Sequence, residues 1–196
     1  MLRSDLIKLI SDFKEVSGDD PPIIVGSQSF HAFTDTIPEI ARMSVECDFM
    51  LSSSNFSKRP RIDLKLGILS QYREENGFFA DALGLASVIL PEGWQERLVP
   101  YCDETGSVIA LCADRHDVAV SKLIAGREKD REFLTSALAS DLINIAGLLE
   151  RLELAFGKVE NDVIPDRIDR FIRHLKHTRF HHEIVNTLRD FKRAHF

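Results

Sequence analysis

The stretch Ile23-Ile24-Val25-Gly26-Ser27-Gln28 reads as a short strand that breaks into a turn. Three β-branched residues in a row, bounded by Pro21-Pro22 and Gly26-Ser27, favour a buried strand over a helix. Gln28 to Phe33 then has the look of a helix start. Further on, Ser44 to Leu51 (SVECDFML) alternates apolar and polar side chains, the pattern of a strand with one solvated face. Because side chains alternate along a strand, Glu46 and Asp48 point to the same side of it.

Outward from this pair of strands, the rest of the chain falls into place. Leu2, Leu6, Ile10 and Phe13 recur at helical spacing, so the chain opens with an amphipathic helix, stopped by Ser17-Gly18-Asp19-Asp20-Pro21-Pro22. Asp63 to Glu75 reads as a helix, Phe78 to Ala82 and Ala86 to Leu90 as strands, and Ser107 to Cys112 as another strand. Asp114 is placed to cap a helix running through Val118, Leu123 and Ile124, which Gly126 interrupts. A helix from Glu128 to Ala139 follows, then one capped by Ser140 or Asp141, then one with Pro165 in its first turn, and the helical pattern continues through Ile184, Leu188 and Phe191. Strands alternate with helices up to Cys112 and helices alone follow. The expected fold is α/β (α+β): a mixed sheet flanked by helices over residues 1–139, and a C-terminal helical subdomain over 140–196.

Composition narrows the class. A chain of 196 residues with 44% hydrophobic content suits one medium domain, or a core with a helical appendage. No apolar run reaches the roughly 18–20 residues of a membrane span, and Met1 to Lys14 is too charged for a secretory signal. Cys47, Cys102 and Cys112 are odd in number and form no CxxC pair, so reduced thiols and a cytoplasmic protein are expected. The net charge of −6 is unevenly spread: from Pro165 to Phe196 there are eight Lys or Arg against four Asp or Glu, and five of the seven histidines. An acidic body with a basic end points to two segments with different partners.

Three local features can carry chemistry. Gly26 lets a backbone approach a phosphate, and Ser27 supplies an amide and a hydroxyl to donate to its oxygens. Glu46 and Asp48 offer two carboxylates on one face, and with substrate phosphates two are enough for Mg²⁺. Lys122, Arg127 and Lys129 surround the Gly126 break, with Asp130 among them, and cations there suit a triphosphate. Each feature alone also fits an ordinary turn, a solvated strand face or a charged helix. Their order in one chain is what distinguishes them.

Taken together, a Gly-Ser turn followed by an acid-x-acid strand resembles the nucleotidyltransferase (DNA polymerase β-like) superfamily. The fuller pattern is similar to the AbiEii-like branch, the toxins of type IV toxin–antitoxin systems and their relatives. Arg42, Ser44, Glu46 and Asp48 match that branch's strand motif, with Glu in place of its first Asp. Lys122, Leu123, Ala125, Arg127 and Asp130 match its helical motif. Gly26-Ser27-Gln28 stands where many relatives have Gly-Gly-Thr. The resemblance covers residues 22–135 and implies transfer of a nucleotidyl group from an NTP to an acceptor. It assigns Mg²⁺ (or Mn²⁺) to Glu46 and Asp48, the phosphates to Gly26 and Ser27, and the triphosphate charge to Lys122 and Arg127. Asp130 would orient a cation or act as base. It also calls for a third carboxylate, for which Asp81 is the first candidate and Asp103 and Asp114 the next.

The departures leave a second reading: a catalytically degenerate binding protein that acts with a partner protein or RNA. Arg167, Arg170, Arg173, Lys176 and Arg179 recur every third residue, a stripe that could face RNA such as tRNA. His174, His177 and His181 at helical spacing could instead bind a metal.

Overall fold

A computed structural model describes residues 1–176, 178 and 181–196. The chain forms two compact units. One comprises Met1–Val88 with Trp94–Asp114, the other Ile89–Gly93 with Arg115–Phe196.

The first unit opens with helix α1 (Arg3–Ser17), whose Leu6, Leu9, Ile10, Phe13 and Val16 form the buried stripe expected of an amphipathic helix. It ends at Gly18, where a φ of 75° turns the chain left-handed and the amide closes onto the Lys14 carbonyl at 2.8 Å. Strand β1 (Ile23–Ile24) runs into a 3₁₀ turn over Ser27–Ala32, then a short helix α2 (Glu39–Met43) and strand β2 (Glu46–Met50). Helices α3 (Arg59–Leu66) and α4 (Gln71–Asn76) lead to β3 (Phe79–Leu83), and a hairpin of β4 (Val99–Cys102) and β5 (Val108–Cys112) completes the unit. Among the described residues these five strands make one sheet in the order β3-β2-β1-β5-β4. It is mixed: β1 runs antiparallel to β2 and parallel to β5, β2 runs parallel to β3, and β4 antiparallel to β5.

One side of this sheet is the core. Leu6, Leu9, Ile10 and Phe13 of α1 and Ile62 and Leu66 of α3 pack with Ile24, Cys47, Phe49, Ala110 and Cys112 from the strands. At its centre the rings of Phe13 and Phe49 stack 3.9 Å apart, tilted by only 11°, and neither is exposed to solvent.

In the second unit, α5 (Arg115–Ala125) meets α6 (Glu128–Ala139), α7 (Ile145–Glu153) and α8 (Val163–Leu175), and α9 (His181–His195) packs on α7 and α8. Ile164, Ile168, Phe171, Ile172 and Leu175 bury one face of α8, as their spacing requires. At Gly126 the chain adopts a φ of 63°, which ends α5. The Arg167 guanidinium from α8 lies against that glycine and donates to the Ile124 carbonyl at 2.8 Å, satisfying a helix end.

The sequence and the structure part company at a few joints. The expected helix over Asp63–Glu75 is two helices, because the chain leaves helical geometry at Gly67 and Ser70 caps α4 by accepting from the Arg73 amide. The expected strand over Ala86–Leu90 is absent. Leu85–Ser87 make a 3₁₀ turn, and the Leu90 carbonyl accepts instead from Lys158 Nζ at 2.8 Å. Strand β4 is hidden in sequence by Pro100. Its place at the edge of the sheet explains the proline, since an edge strand can spare an amide. Neither Ser140 nor Asp141 caps α7. Asn144 does, accepting from Gly147 N at 2.8 Å.

The stacked ring pair sets a stability test. Phe13→Ala removes a fully buried ring, and a cost of about 3–5 kcal/mol is expected. It should appear as a lower urea midpoint with an unchanged slope.

Candidate active site

The pairing of β1 with β2 decides where the Gly-Ser turn falls. Ile24 lies opposite Phe49, and the Val25 amide donates to the Asp48 carbonyl at 3.0 Å. Gly26 therefore arrives directly against Asp48. A Cβ on Gly26 would stand 1.7 Å from Asp48 Oδ2, so no larger residue fits while that carboxylate keeps its place. The turn is fixed from behind. Ser29 Oγ donates to the Ile24 carbonyl at 2.9 Å, and Gln28 Nε2 to the Ala41 carbonyl at 2.9 Å, both out of solvent. Ser27 is buried at the start of the 3₁₀ turn.

Burial along β2 alternates as a two-sided strand must: Cys47 and Phe49 are fully buried, while Glu46 and Asp48 are partly exposed. The two carboxylates thus sit on the face opposite the core. Strand β3 runs parallel in register, with Asp81 directly beside Asp48. In-register neighbours on parallel strands share a face, so Asp81 joins Glu46 and Asp48 there. Burial raises the pKa of Asp81, the Glu46 charge raises it further and Asp63 adds to this, while Arg59 works against them. A pocket of about 390 Å³ opens at this point, lined by Glu46, Asp81, Arg59, Asp63, Ile68 and Leu69. Among the described residues no group of three or more His, Cys, Asp or Glu is gathered as a metal cluster.

Arg59 and Asp63 are the residues that the sequence reading missed. They belong to α3, four apart, with Nε and Oδ2 at 3.7 Å. Their spacing is that of any helical ion pair. Only the tertiary packing of α3 beside β3 puts them next to an acid face. Of the remaining strand motif, Arg42 pairs with Glu39 at 4.0 Å and Ser44 Oγ donates to the Glu46 carbonyl at 3.3 Å.

In the second unit, Asp130 gathers the helical motif around itself. Its side chain is fully buried. Arg127 grips it through Nε at 2.7 Å and Nη2 at 3.1 Å, the Arg127 amide donates at 3.3 Å, and Lys122 Nζ approaches to 3.4 Å. Burial would raise the Asp130 pKa, but the Arg127 hydrogen bonds and the Lys122 and Arg127 charges prevail and the carboxyl is lowered. Lys122 also stands 4.7 Å over the ring of Phe133. Lys129 is exposed, whereas Arg131 is only half-exposed and donates to the Gly126 carbonyl.

The other candidates have plainer settings. Asp103 closes the β4–β5 turn, accepting from the Thr105 amide and hydroxyl and from the Ser107 amide. Asp114 directly precedes α5. Cys47 and Cys112 are buried thiols. Burial pushes Cys47 far up and Cys112 up to about 12, and neither is reactive at neutral pH. Of the basic and histidine-rich stripe, His177 and Arg179 lie outside the described residues, as does the side chain of His181. Among the described residues no helix is long and apolar enough to cross a membrane.

A family described as "Nucleotidyltransferase of unknown function (DUF6036)" matches residues 4–183. No curated protein and no solved structure matches the chain. The match spans both units, and on that basis the chain belongs to this family of nucleotidyltransferases of unknown function.

Proposed function

We propose that the chain transfers a nucleotidyl group from an NTP to an acceptor hydroxyl, at the face formed by Gly26, Glu46, Asp48 and Asp81. The observation that carries this reading is the apposition of Gly26 and Asp48, a turn that only glycine can lay onto a carboxylate. The two motifs also support placing the chain in the AbiEii-like branch, as the toxin-like member of a toxin–antitoxin pair.

The donor set fits Mg²⁺ or Mn²⁺. Glu46, Asp48 and Asp81 share one face of the sheet, and one or two protein carboxylates are enough when phosphates complete the shell. Glu46 and Asp48 would hold the ion, with Asp81 beside them. When bound, such an ion offsets charge on the phosphate oxygens and acidifies the attacking hydroxyl. The amide and hydroxyl of Ser27 would donate to phosphate oxygens. Asp81, held toward its protonated form, is suited to receive a proton only when a cation faces it. Asp130 acts as an orienting residue: buried and saturated by Arg127, it presents Lys122 and Arg127 as cations and is no base. In-line attack at the α-phosphorus forms the acceptor O–P bond as the bond to pyrophosphate breaks.

A second reading has its own support. Glu46 replaces the Asp of the motif, and a longer side chain moves its carboxylate outward. On that reading the domain binds nucleotide without transfer and works with a partner protein or RNA.

Nucleotide binding is read first by melting temperature in Mg²⁺. An NTP at ~100 times its Kd adds about 2.7 kcal/mol to the native state. Asp48→Ala and Gly26→Ala should each remove most of that shift, the second by displacing the carboxylate. Lys122→Ala should weaken binding more than Lys129→Ala. Absence of any shift in the wild type would defeat both readings. A shift without pyrophosphate release, tested across acceptors, would favour the binding protein.

Asp81 makes a separate test, in pH. Its folded-state pKa lies above the unfolded one. Ionising it therefore costs stability, a cost that sets in as pH rises through these values and is absent below about pH 3.9. Asp81→Asn should raise the denaturation midpoint at pH 7, with the gain vanishing toward pH 3, while the NTP-dependent shift shrinks. A variant less stable than wild type at pH 7 would contradict the placement of Asp81 among acids.

A further inference from the structure

Within the second unit, four nitrogen-rich side chains converge where the sequence showed only a stripe. Arg131 of α6 and Arg170, Arg173 and His174 of α8 line an open pocket of about 410 Å³, and among the described residues no carboxylate lines it. The three from α8 are neighbours because residues three and four apart share a helix face. Ile168, Phe171, Ile172 and Leu175 are buried and fix that face outward. The stripe as a whole does not do this. Arg167 is turned away to the Ile124 carbonyl and to Asp166.

Cations at the last turn of a helix can simply answer its dipole, and Arg173 and His174 stand there. That explanation does not reach Arg131, which comes from another helix and is anchored through one nitrogen to the Gly126 carbonyl. Nor does local pairing neutralise all three guanidinium groups. Asp166 takes Arg170 at 2.9 Å, but Arg173 makes no ion pair with any described residue. Like charges held around a shared space repel, and the arrangement is relieved by an anion with several oxygens. Guanidinium groups match phosphate oxygens in fork geometry, which a lysine cluster would not.

We propose that this pocket is a binding site for phosphate groups, separate from the carboxylate face and independent of the reading given to it. A phosphodiester chain and a free polyphosphate offer the same oxygens, and the pocket is open enough for either.

The test is binding without metal or NTP, so that failure of the carboxylate site cannot affect it. Anisotropy of a labelled 20-nucleotide single-stranded RNA, in EDTA, is measured against salt, with titration of inorganic tripolyphosphate in parallel. Arg173→Gln alone, and Arg170→Gln with Arg173→Gln, are compared with Arg193→Gln, an exposed cation already paired with Asp190 at 3.4 Å. At least a tenfold loss in the pocket variants is expected, with little change for Arg193→Gln. The salt slope should fall by about 0.7 for each phosphate of the single strand that is no longer neutralised. RNA binding lost this way identifies a nucleic-acid backbone as the source. Tripolyphosphate binding alone, lost in the same variants, identifies a free polyphosphate. If neither probe binds, or if Arg193→Gln loses as much as Arg173→Gln, the site is overturned. Arg173 is exposed, so Arg173→Gln carries the comparison even if the double variant folds poorly.

Discussion

Strand β2 must satisfy two environments with a period of two, and much of the first unit depends on it. Cys47 and Phe49 go into the core, where Phe49 stacks on Phe13 of α1. The intervening Glu46 and Asp48 are thereby committed to the other face. A slip of one residue would bury two carboxylates and expose a phenylalanine. The hydrophobic demand of one face thus holds the acids in position on the other. The close approach of Gly26 to Asp48 follows from the same register, because β1 pairs with β2 across those residues.

Parity is also why this region was legible in the sequence. Alternation from Ser44 to Leu51 is a local pattern, and so are the β-branched run before Gly26 and the glycine break at Gly126. The partnership of Asp81 with Asp48 is not local. It rests on the register of two strands separated by two helices, and sequence can nominate Asp81 only through resemblance. Arg59 and Asp63 carry no local mark at all, since their spacing is that of countless surface pairs. Pro100 misdirected in the opposite sense: it argues against a strand until the strand is known to be an edge. Ala86 to Leu90 fails for a related reason. Its run turns through a 3₁₀ segment, leaving Ala86 and Ser87 exposed and only Leu90 buried.

The helical motif shows how the same residue types take a different meaning once burial is known. In sequence, Lys122, Arg127 and Asp130 are three charges near a glycine. In the structure Asp130 is out of solvent, and an unpaired carboxylate there would be costly. Arg127 and Lys122 remove that cost, and in return their own positions become fixed. An acid so held cannot easily take a proton, which is why orientation suits it better than base chemistry.

Electrostatics places one further demand on the acid face. Glu46, Asp48 and Asp81 lie on one side of a sheet in a chain of net charge −6. Burial raises the Asp81 pKa and the Glu46 charge raises it further, and acids gathered on one face would repel a triphosphate as well. Asp48 and Asp81 lie side by side on neighbouring strands, where like charges disfavour pairing, and Asp48 also lies against the Gly26 turn. For the nucleotidyl transfer proposed above, a positive charge at this face would have to offset that repulsion. Arg59 is the cation the fold itself supplies beside Asp81, and it already pairs with Asp63. On the proposed function, a hard divalent ion would neutralise the remaining negative charge. The fold's core, through the register of β2, holds these charges on one face.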